Sequence, residues 1–397
     1  MKIVQINSFS NGSTGKIMMG IHNELVKKGY DSYVVWGRGR KSNNNHEIYM
    51  NNKLGVYLHA LMSRLTGKTG FYSKKSTKEL IKRLEKIKPD VVHLHNVHGY
   101  YINIDMLFRY LKANRIRVIC TLHDCWSFTG QCPHFESVKC EKWKEKCYKC
   151  PMINEYPKSF VDNSTWNYNK KKEIFTGLDM TIVTPSKWLA TLVKKSYLKN
   201  YRVEVINNGI DTTIFKPTNS DFRKTHNLEN KKMILGVASV WDRRKGLSDF
   251  IKLSRILDDS YKIVLVGLSK KQIKSLPSNI IGITRTENQQ ELAGLYSTTD
   301  IFFNPTYEDN YPTVNIEAIA CGASVITYNT GGSPEFIDFL KNKNFDCIIN
   351  KNDLSKSENV LGDRIKKVLG EKQKINSLDN LNNKIMCEKY IELYNRK

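Results

Sequence analysis

Short apolar, β-branched runs punctuate the chain at helix-length intervals, and this alternation occurs twice. KIVQINS, SYVVWG, DVVHLHN, VICTLHD and MTIVTPS form a first series; MILGVASV, YKIVLVG, NIIGITR, DIFFNP and ASVITYN form a second. Strands separated by helices build parallel sheets, because each strand must be reached by a crossover to run in the same direction. The expected fold class is therefore α/β, with two Rossmann-like doubly wound domains facing across a cleft. Residues 1–205 are expected to form the first domain, 206–375 the second, and 376–397 a helix packing back on the first. VEVINNGIDTTIFKP reads as part of the connection, and NSLDNLNNKIMCEKYIELYNRK as a long polar helix. Ligands in such sheets bind beyond the carboxyl ends of the strands, so the segments just after each run are where chemistry is to be sought.

A chain of 397 residues can bury two cores. No apolar run reaches bilayer-spanning length, and MKIVQINSFSNGSTGKI lacks the layout of a secretory signal. The expectation is a cytoplasmic protein, peripheral at the inner face of the cell membrane, with its nine cysteines reduced or metal-bound. The formal charge of +24 is unevenly placed: residues 1–200 hold 34 Lys/Arg against 15 Asp/Glu, and the remainder 29 against 24. A basic first half suits an anionic partner or a solubilising surface. Nucleic acid is disfavoured, since no recognised motif is present and the aromatics are not interleaved with Arg as stacking platforms. An anionic membrane surface is the expected partner. SRLTGKTGFYSKKSTKELIKRLEK is the candidate segment, with Phe71 and Tyr72 available to enter the interface.

TGQCPHFESVKCEKWKEKCYKCP places Cys132, Cys140, Cys147 and Cys150 in one loop, expected over 130–151. Four cysteines ending in C-x2-C suit a structural zinc site, and a loop too polar to form a core would be stabilised by the metal. Free thiols or disulfides are the alternatives.

Chemistry-bearing residues gather at strand ends. SNGSTGKI puts Gly12 and Gly15 at a strand-to-helix turn, where backbone amides favour an anion. His123 and Asp124 end VICTLHD. WDRRKG offers Arg243, Arg244 and Lys245 to a diphosphate. In EDNYPTVNIEAIACG, Asp309 and Glu317 bracket a helix start, and TGGSPEF sets Gly331 and Gly332 at another. Together these describe a nucleotide-diphosphate pocket.

The combination resembles glycosyltransferase family 4, retaining nucleotide-sugar enzymes of GT-B architecture. GSTGKI, HLHNVHGYY, TLHDCWSFTG and WDRRKGL look most like the bacterial members that assemble capsules and colanic acid. The family motif of an acid, seven residues and a Glu appears as Asp309 to Glu317, followed by AIACG. The resemblance implies that Gly15 faces the donor diphosphate, that His123 contacts the transferred sugar, and that Lys245 binds phosphate. Arg243 or Arg244 would replace the family's arginine, because Ser239 stands at its position. Asp309 would lie near the donor hexose, or Glu308 would take that place. Thr313 and Val314 would offer amides to the diphosphate, and Glu317 would accept from the ribose hydroxyls. The catalytic set is thus His123, Asp309 and Lys245, with no metal needed for catalysis. The implied reaction moves a hexose, from a UDP-sugar, to a saccharide or polyprenyl-diphosphate-linked acceptor in surface polysaccharide assembly. A nucleic-acid- or membrane-binding protein without activity, and an epimerase or phosphorylase on the same frame, are the competing readings.

Overall fold

The computed structural model describes residues 1–50, 53–343, 345–351, 359–371 and 373–396. They fall into two compact units, Met1–Asn207 with Met386–Lys397, and Asn208–Ile385. The strands of the first are β1 (Lys2–Phe9), β2 (Asp31–Arg38), β3 (Glu47–Tyr49), β4 (Val91–Leu94), β5 (Arg117–Thr121), β6 (Met180–Thr184) and β7 (Arg202–Val205). All pair in parallel, in the order β3-β2-β1-β4-β5-β6-β7. Helices α1 (Gly12–Lys27), α2 (Lys53–Thr66), α3 (Lys74–Ile87), α4 (Ile104–Ala113), α5 (Ser164–Phe175) and α6 (Lys187–Lys194) fill the crossovers. VVHL of β4 is buried throughout, as a strand covered on both faces requires.

One face of this sheet packs on Leu80, Leu107, Phe108 and Phe175. The other packs on the C-terminal helix Asn383–Asn395, whose Met386, Tyr390, Ile391 and Tyr394 meet Ile3, Ile21, Val91 and Ile119. Arg117 donates from Nη1 to the carbonyl of Tyr394 at 2.8 Å and from Nη2 to that of Leu393 at 2.7 Å. A cation on the last carbonyls favours a helix end. The segment is therefore not a polar helix: interspersed Lys, Glu and Asn obscure an apolar stripe at helical spacing. Lys397, its last residue, lies outside the described ones. RVEV, read from sequence as connection, forms the edge strand β7, where charged side chains are tolerated.

In the second unit β8 (Lys232–Val237), β9 (Tyr261–Val266), β10 (Ile280–Ile283), β11 (Ile301–Asn304), β12 (Ser324–Tyr328) and β13 (Ile348–Ile349) pair in parallel, in the order β10-β9-β8-β11-β12-β13. Helices α7 (Phe222–Thr225), α8 (Leu247–Ile256), α9 (Lys270–Lys274), α10 (Gln289–Thr298) and α11 (Thr313–Ala320) accompany them, with a further helix at Asn359–Gly370. Phe250, Phe302, Phe303, Ile316 and Val325 are core residues. In both sheets the strand order reverses beside the first strand, between β1 and β4 and between β8 and β11. Crevices at the carboxyl ends of such strand pairs are where doubly wound sheets hold ligands.

Candidate active site

The loops after β8 and β11 meet at the second unit's reversal point. Asp242 caps the short turn Arg243–Lys245 by accepting from the Lys245 amide at 3.1 Å. Lys245 Nζ lies 2.5 Å from Asp309 Oδ2, and Arg244 Nη1 lies 4.0 Å from the same oxygen. Arg244 also donates from Nη1 to the Glu308 carbonyl at 2.7 Å, while its own carbonyl accepts from the Tyr307 amide at 2.7 Å. Arg243 is exposed. Of the two adjacent acids, Asp309 is the one paired with Lys245; Glu308 is only 1% exposed.

The loop after β12 braces this arrangement. Gly332 donates its amide to the Asp309 carbonyl at 3.0 Å. Gly331 has φ of +57°, and a Cβ there would stand 2.0 Å from that same carbonyl oxygen, so only glycine fits. With its amide committed to Asp309, Gly332 positions the acid rather than presenting a donor to phosphate.

Helix α11 follows Pro312, its N-cap residue, and has no side-chain cap. The Asn315 amide donates to the Pro312 carbonyl at 3.1 Å, while the amides of Thr313 and Val314 precede the first bond within the helix. Asn315, 0% exposed, anchors this turn: it accepts from Asn304 Nδ2 at 2.8 Å and donates to the Ser333 carbonyl at 3.2 Å. Glu317, half-buried, accepts from the Tyr296 hydroxyl at 3.2 Å. Burial, then Glu317, pushes the Tyr296 phenol well above its usual range, so it stays a donor. Asp249 accepts from the hydroxyls of Tyr307 and Tyr328 at 2.9 and 3.0 Å, and Lys351 Nζ sits 3.7 Å from the Tyr307 ring centroid. Sequence reasoning missed these supports, since a tyrosine or asparagine carries no motif of its own.

In the first unit, His123 follows β5 and His95 follows β4. His123 Nε2 and His95 Nδ1 are 3.1 Å apart with their rings stacked, and His95 Nε2 meets Gln5 Oε1 at 3.2 Å. The amide oxygen accepts from His95 Nε2, so His95 Nδ1 accepts from His123 Nε2, leaving His123 Nδ1 as an acceptor. Burial, partly offset by Asp124, lowers His123 to about 4, and burial with the neighbouring rings holds His95 well below the usual value. Both are neutral near pH 7. Asp124 accepts from His98 Nε2 at 2.8 Å; burial raises its carboxyl, but His98 and other partners win, bringing it to about 2. His93 joins Tyr394 and Thr121 at 2.7 Å each, a structural tie to the C-terminal helix. Gly15 is not in a loop but in the first turns of α1, where a Cβ would stand 2.5 Å from the Ser10 backbone carbon. Close packing accounts for that glycine.

The cysteine loop is not too polar to hold itself. Trp143, 2% exposed, lies 5.2 Å from the Phe128 ring and 5.1 Å from that of Phe135. Cys132 and Cys150 are hydrogen-bonded to each other, and Cys147 Sγ accepts from the Gly130 amide at 3.2 Å. Among the described residues no group of three or more His, Cys, Asp or Glu side chains is placed to hold a metal ion. Cys132, Cys140, Cys147 and Cys150, the four thiols of the zinc expectation, all lie in this loop, with Cys132 buried and the other three half-buried. Phe71 and Tyr72, expected to enter a membrane interface, are half-buried and have contacts of their own. Phe71 packs edge-on against Trp166 at 4.8 Å, and the Tyr72 hydroxyl bonds Thr66 Oγ1 at 2.6 Å.

Each unit is a doubly wound sheet, and in the second Lys245, Arg244 and Asp309 come together at the reversal point, Asp309 in the loop that leads into α11. Residues 15–214 match the model of Glycosyltransferase Family 4, and residues 218–374 that of Glycosyl transferases group 1. A putative colanic acid biosynthesis glycosyl transferase of Escherichia coli is 24% identical over 85% of each chain. A processive diacylglycerol alpha-glucosyltransferase of Acholeplasma laidlawii is 30% identical over 42% of this chain and 52% of its own. Among solved structures, a sucrose-phosphate synthase of Thermosynechococcus elongatus superposes with a TM-score of 0.68 at 14% identity, covering 99% of this chain and 98% of its own. The Anabaena protein HepE in complex with UDP gives 0.60 at 11% identity, with 99% of each chain covered. The fold is GT-B and the protein is a glycosyltransferase. It belongs to Glycosyltransferase Family 4.

Proposed function

We propose that the protein moves a hexose from a UDP-sugar to a saccharide or polyprenyl-diphosphate-linked acceptor, with retention at the anomeric carbon, in surface polysaccharide assembly at an anionic membrane face. The observation that carries this reading is the Lys245–Asp309 pair at 2.5 Å beside Arg244 and the uncapped start of α11. Fixed cations and free helix amides suit the two negative charges of a diphosphate and the charge that develops as it leaves. In the transfer, the bond between C1 and the diphosphate oxygen breaks and one between C1 and the acceptor oxygen forms. The acceptor's proton passes to the departing diphosphate on the same face of the sugar. Lys245 and Arg244 would hold the diphosphate, Asp309 a hexose hydroxyl, Glu317 the ribose hydroxyls, and His123 Nδ1 would accept from a sugar hydroxyl. No catalytic metal enters, the cations doing that work.

Among the relatives, an N,N'-diacetylbacillosaminyl-diphospho-undecaprenol alpha-1,3-N-acetylgalactosaminyltransferase of Campylobacter jejuni, 25% identical over 52% of this chain, supports the choice of a lipid-linked acceptor. Thermal shift against UDP-, GDP- and TDP-sugars tests the donor, since a ligand bound only by the folded state raises the melting temperature. NMR of the product tests the stereochemistry. A shift with GDP-sugars alone, or an inverted anomer, overturns that part of the reading.

A further inference from the structure

Helix α2, KLGVYLHALMSRLT, is folded inside out. Its fully buried side chains are polar: His59 is 2% exposed and Ser63 1%. His59 is fixed by Ser73 Oγ, 2.7 Å from its Nδ1, and by the Gly70 amide donating to its Nε2 at 3.3 Å. The apolar residues face outward instead. Leu54, Tyr57, Leu58, Leu61, Met62 and Leu65 recur at the three- and four-residue steps that align side chains along one helix face. All six are exposed, Leu54 to 64% and Tyr57 to 66%.

The patch continues onto a neighbouring loop. The Phe160 amide donates to the Arg64 carbonyl at 2.9 Å, bringing the 68%-exposed Phe160 ring to the end of the helix beside exposed Val161. Scattered exposed leucines need no explanation; a contiguous apolar face on a helix does. Its surroundings are cationic. Arg64 lies over the Phe160 ring at 5.7 Å and Lys68 over the Trp166 ring at 4.5 Å. Residues 53–88, which cover α2 and α3, contain ten Lys/Arg and two Glu.

We infer that the outward face of α2, with Phe160 and Val161, is a docking surface for an anionic lipid bilayer. Apolar side chains on one helix face enter the boundary between headgroups and acyl chains, while flanking cations meet the anionic headgroups. The charge around the face selects this occupant: a second copy would bring the same cations into apposition. The anchor is α2 rather than the α3 segment, because α3 turns Leu80 and Leu84 into the core and leaves lysines outside. The inference deepens the membrane part of the function proposed above, and its test does not use activity.

The full chain is sedimented with phosphatidylcholine vesicles and with vesicles also containing phosphatidylglycerol, at low and high salt. The expected result is binding to the anionic vesicles, weakened by salt. Leu58→Ser/Leu61→Ser/Leu65→Ser should reduce it at least tenfold, and Arg64→Glu/Lys68→Glu should remove most of the preference for anionic lipid. These side chains are exposed or half-buried, so the variants should fold; an unchanged thermal shift with the donor nucleotide checks this. Binding to neither vesicle, equal binding to both, or full binding by the triple serine variant overturns the inference. So does a dimer in solution that the serine variant abolishes, which would make the face a chain–chain interface. Loss of the donor shift with vesicle binding intact would instead count against the transferase reading alone.

Discussion

Asp309 is paired with Lys245, Oδ2 to Nζ at 2.5 Å, with both side chains about one-fifth exposed (20% and 18%). An arriving diphosphate must therefore share or replace a carboxylate on the cation that would bind it. Asp309→Asn should release Lys245 and tighten UDP about tenfold, worth ~1.4 kcal/mol. The same change should cut transfer at least tenfold, because the hexose loses its partner. Lys245→Ala should weaken UDP at least tenfold. Calorimetry with UDP alone and steady-state transfer rates separate the two effects. Weaker UDP binding by Asp309→Asn, with Lys245→Ala unchanged, would reduce the pair to a loop brace.

Glu317 and Tyr296 form the second relationship. If Glu317 accepts from ribose hydroxyls, Glu317→Ala should lower kcat/KM at least tenfold while leaving circular dichroism unchanged. Tyr296→Phe removes only the hydroxyl that donates to Glu317 Oε2 and should raise the donor KM a few-fold at constant kcat. Normal activity in well-folded Glu317→Ala would end the ribose assignment.

His95 acts through His123, 3.1 Å away, and so is a positioning residue. His95→Phe keeps a flat ring but loses the bond that sets the His123 tautomer. The expected outcome is a kcat lowered at least tenfold with little change in donor KM, and His95→Asn or His95→Gln recovering part of it. A change in KM alone would leave His95 with a packing role only.

The alternation of apolar runs was enough to read two doubly wound sheets, because covered parallel strands must be apolar on both faces. It was not enough for β3 and β13, with three and two residues, or for RVEV at an edge that need not be apolar. The motif acids and basic triplet were legible, and in the second unit the topology brings Lys245, Arg244 and Asp309 together. What supports them was not: Tyr296, Asn315 and Gln5 act through side-chain hydrogen bonds that no spacing foretells. At Gly15 and Gly332 the strand-end turns suggest amides for phosphate; what the sequence leaves hidden is that a Cβ at Gly15 would collide with the Ser10 backbone and that the Gly332 amide donates to Asp309. In α2 the inverted face has the same helical period as a normal one, and sequence cannot say which side is inward.

Three fully buried imidazoles predict how stability responds to acid. Burial lowers His59 and His93 to about 3, and burial with its neighbours holds His95 well below the usual value. Above about pH 6.5 these side chains are neutral in both folded and unfolded chains, and their contribution is constant. Below it the unfolded chain binds protons that the folded chain refuses, so stability falls as pH drops. Each histidine contributes a slope of roughly 1.4 kcal/mol per pH unit, continuing down to its folded value. Asp124, held at about 2, adds nothing until its unfolded value near pH 4 is reached. Urea unfolding between about pH 6.5 and 4 should therefore show a steady loss of stability. His93→Gln should shed one histidine's share of the slope, even though losing the bonds to Tyr394 and Thr121 lowers stability at every pH. A slope identical to that of the native chain would show that His93 takes up its proton when folded.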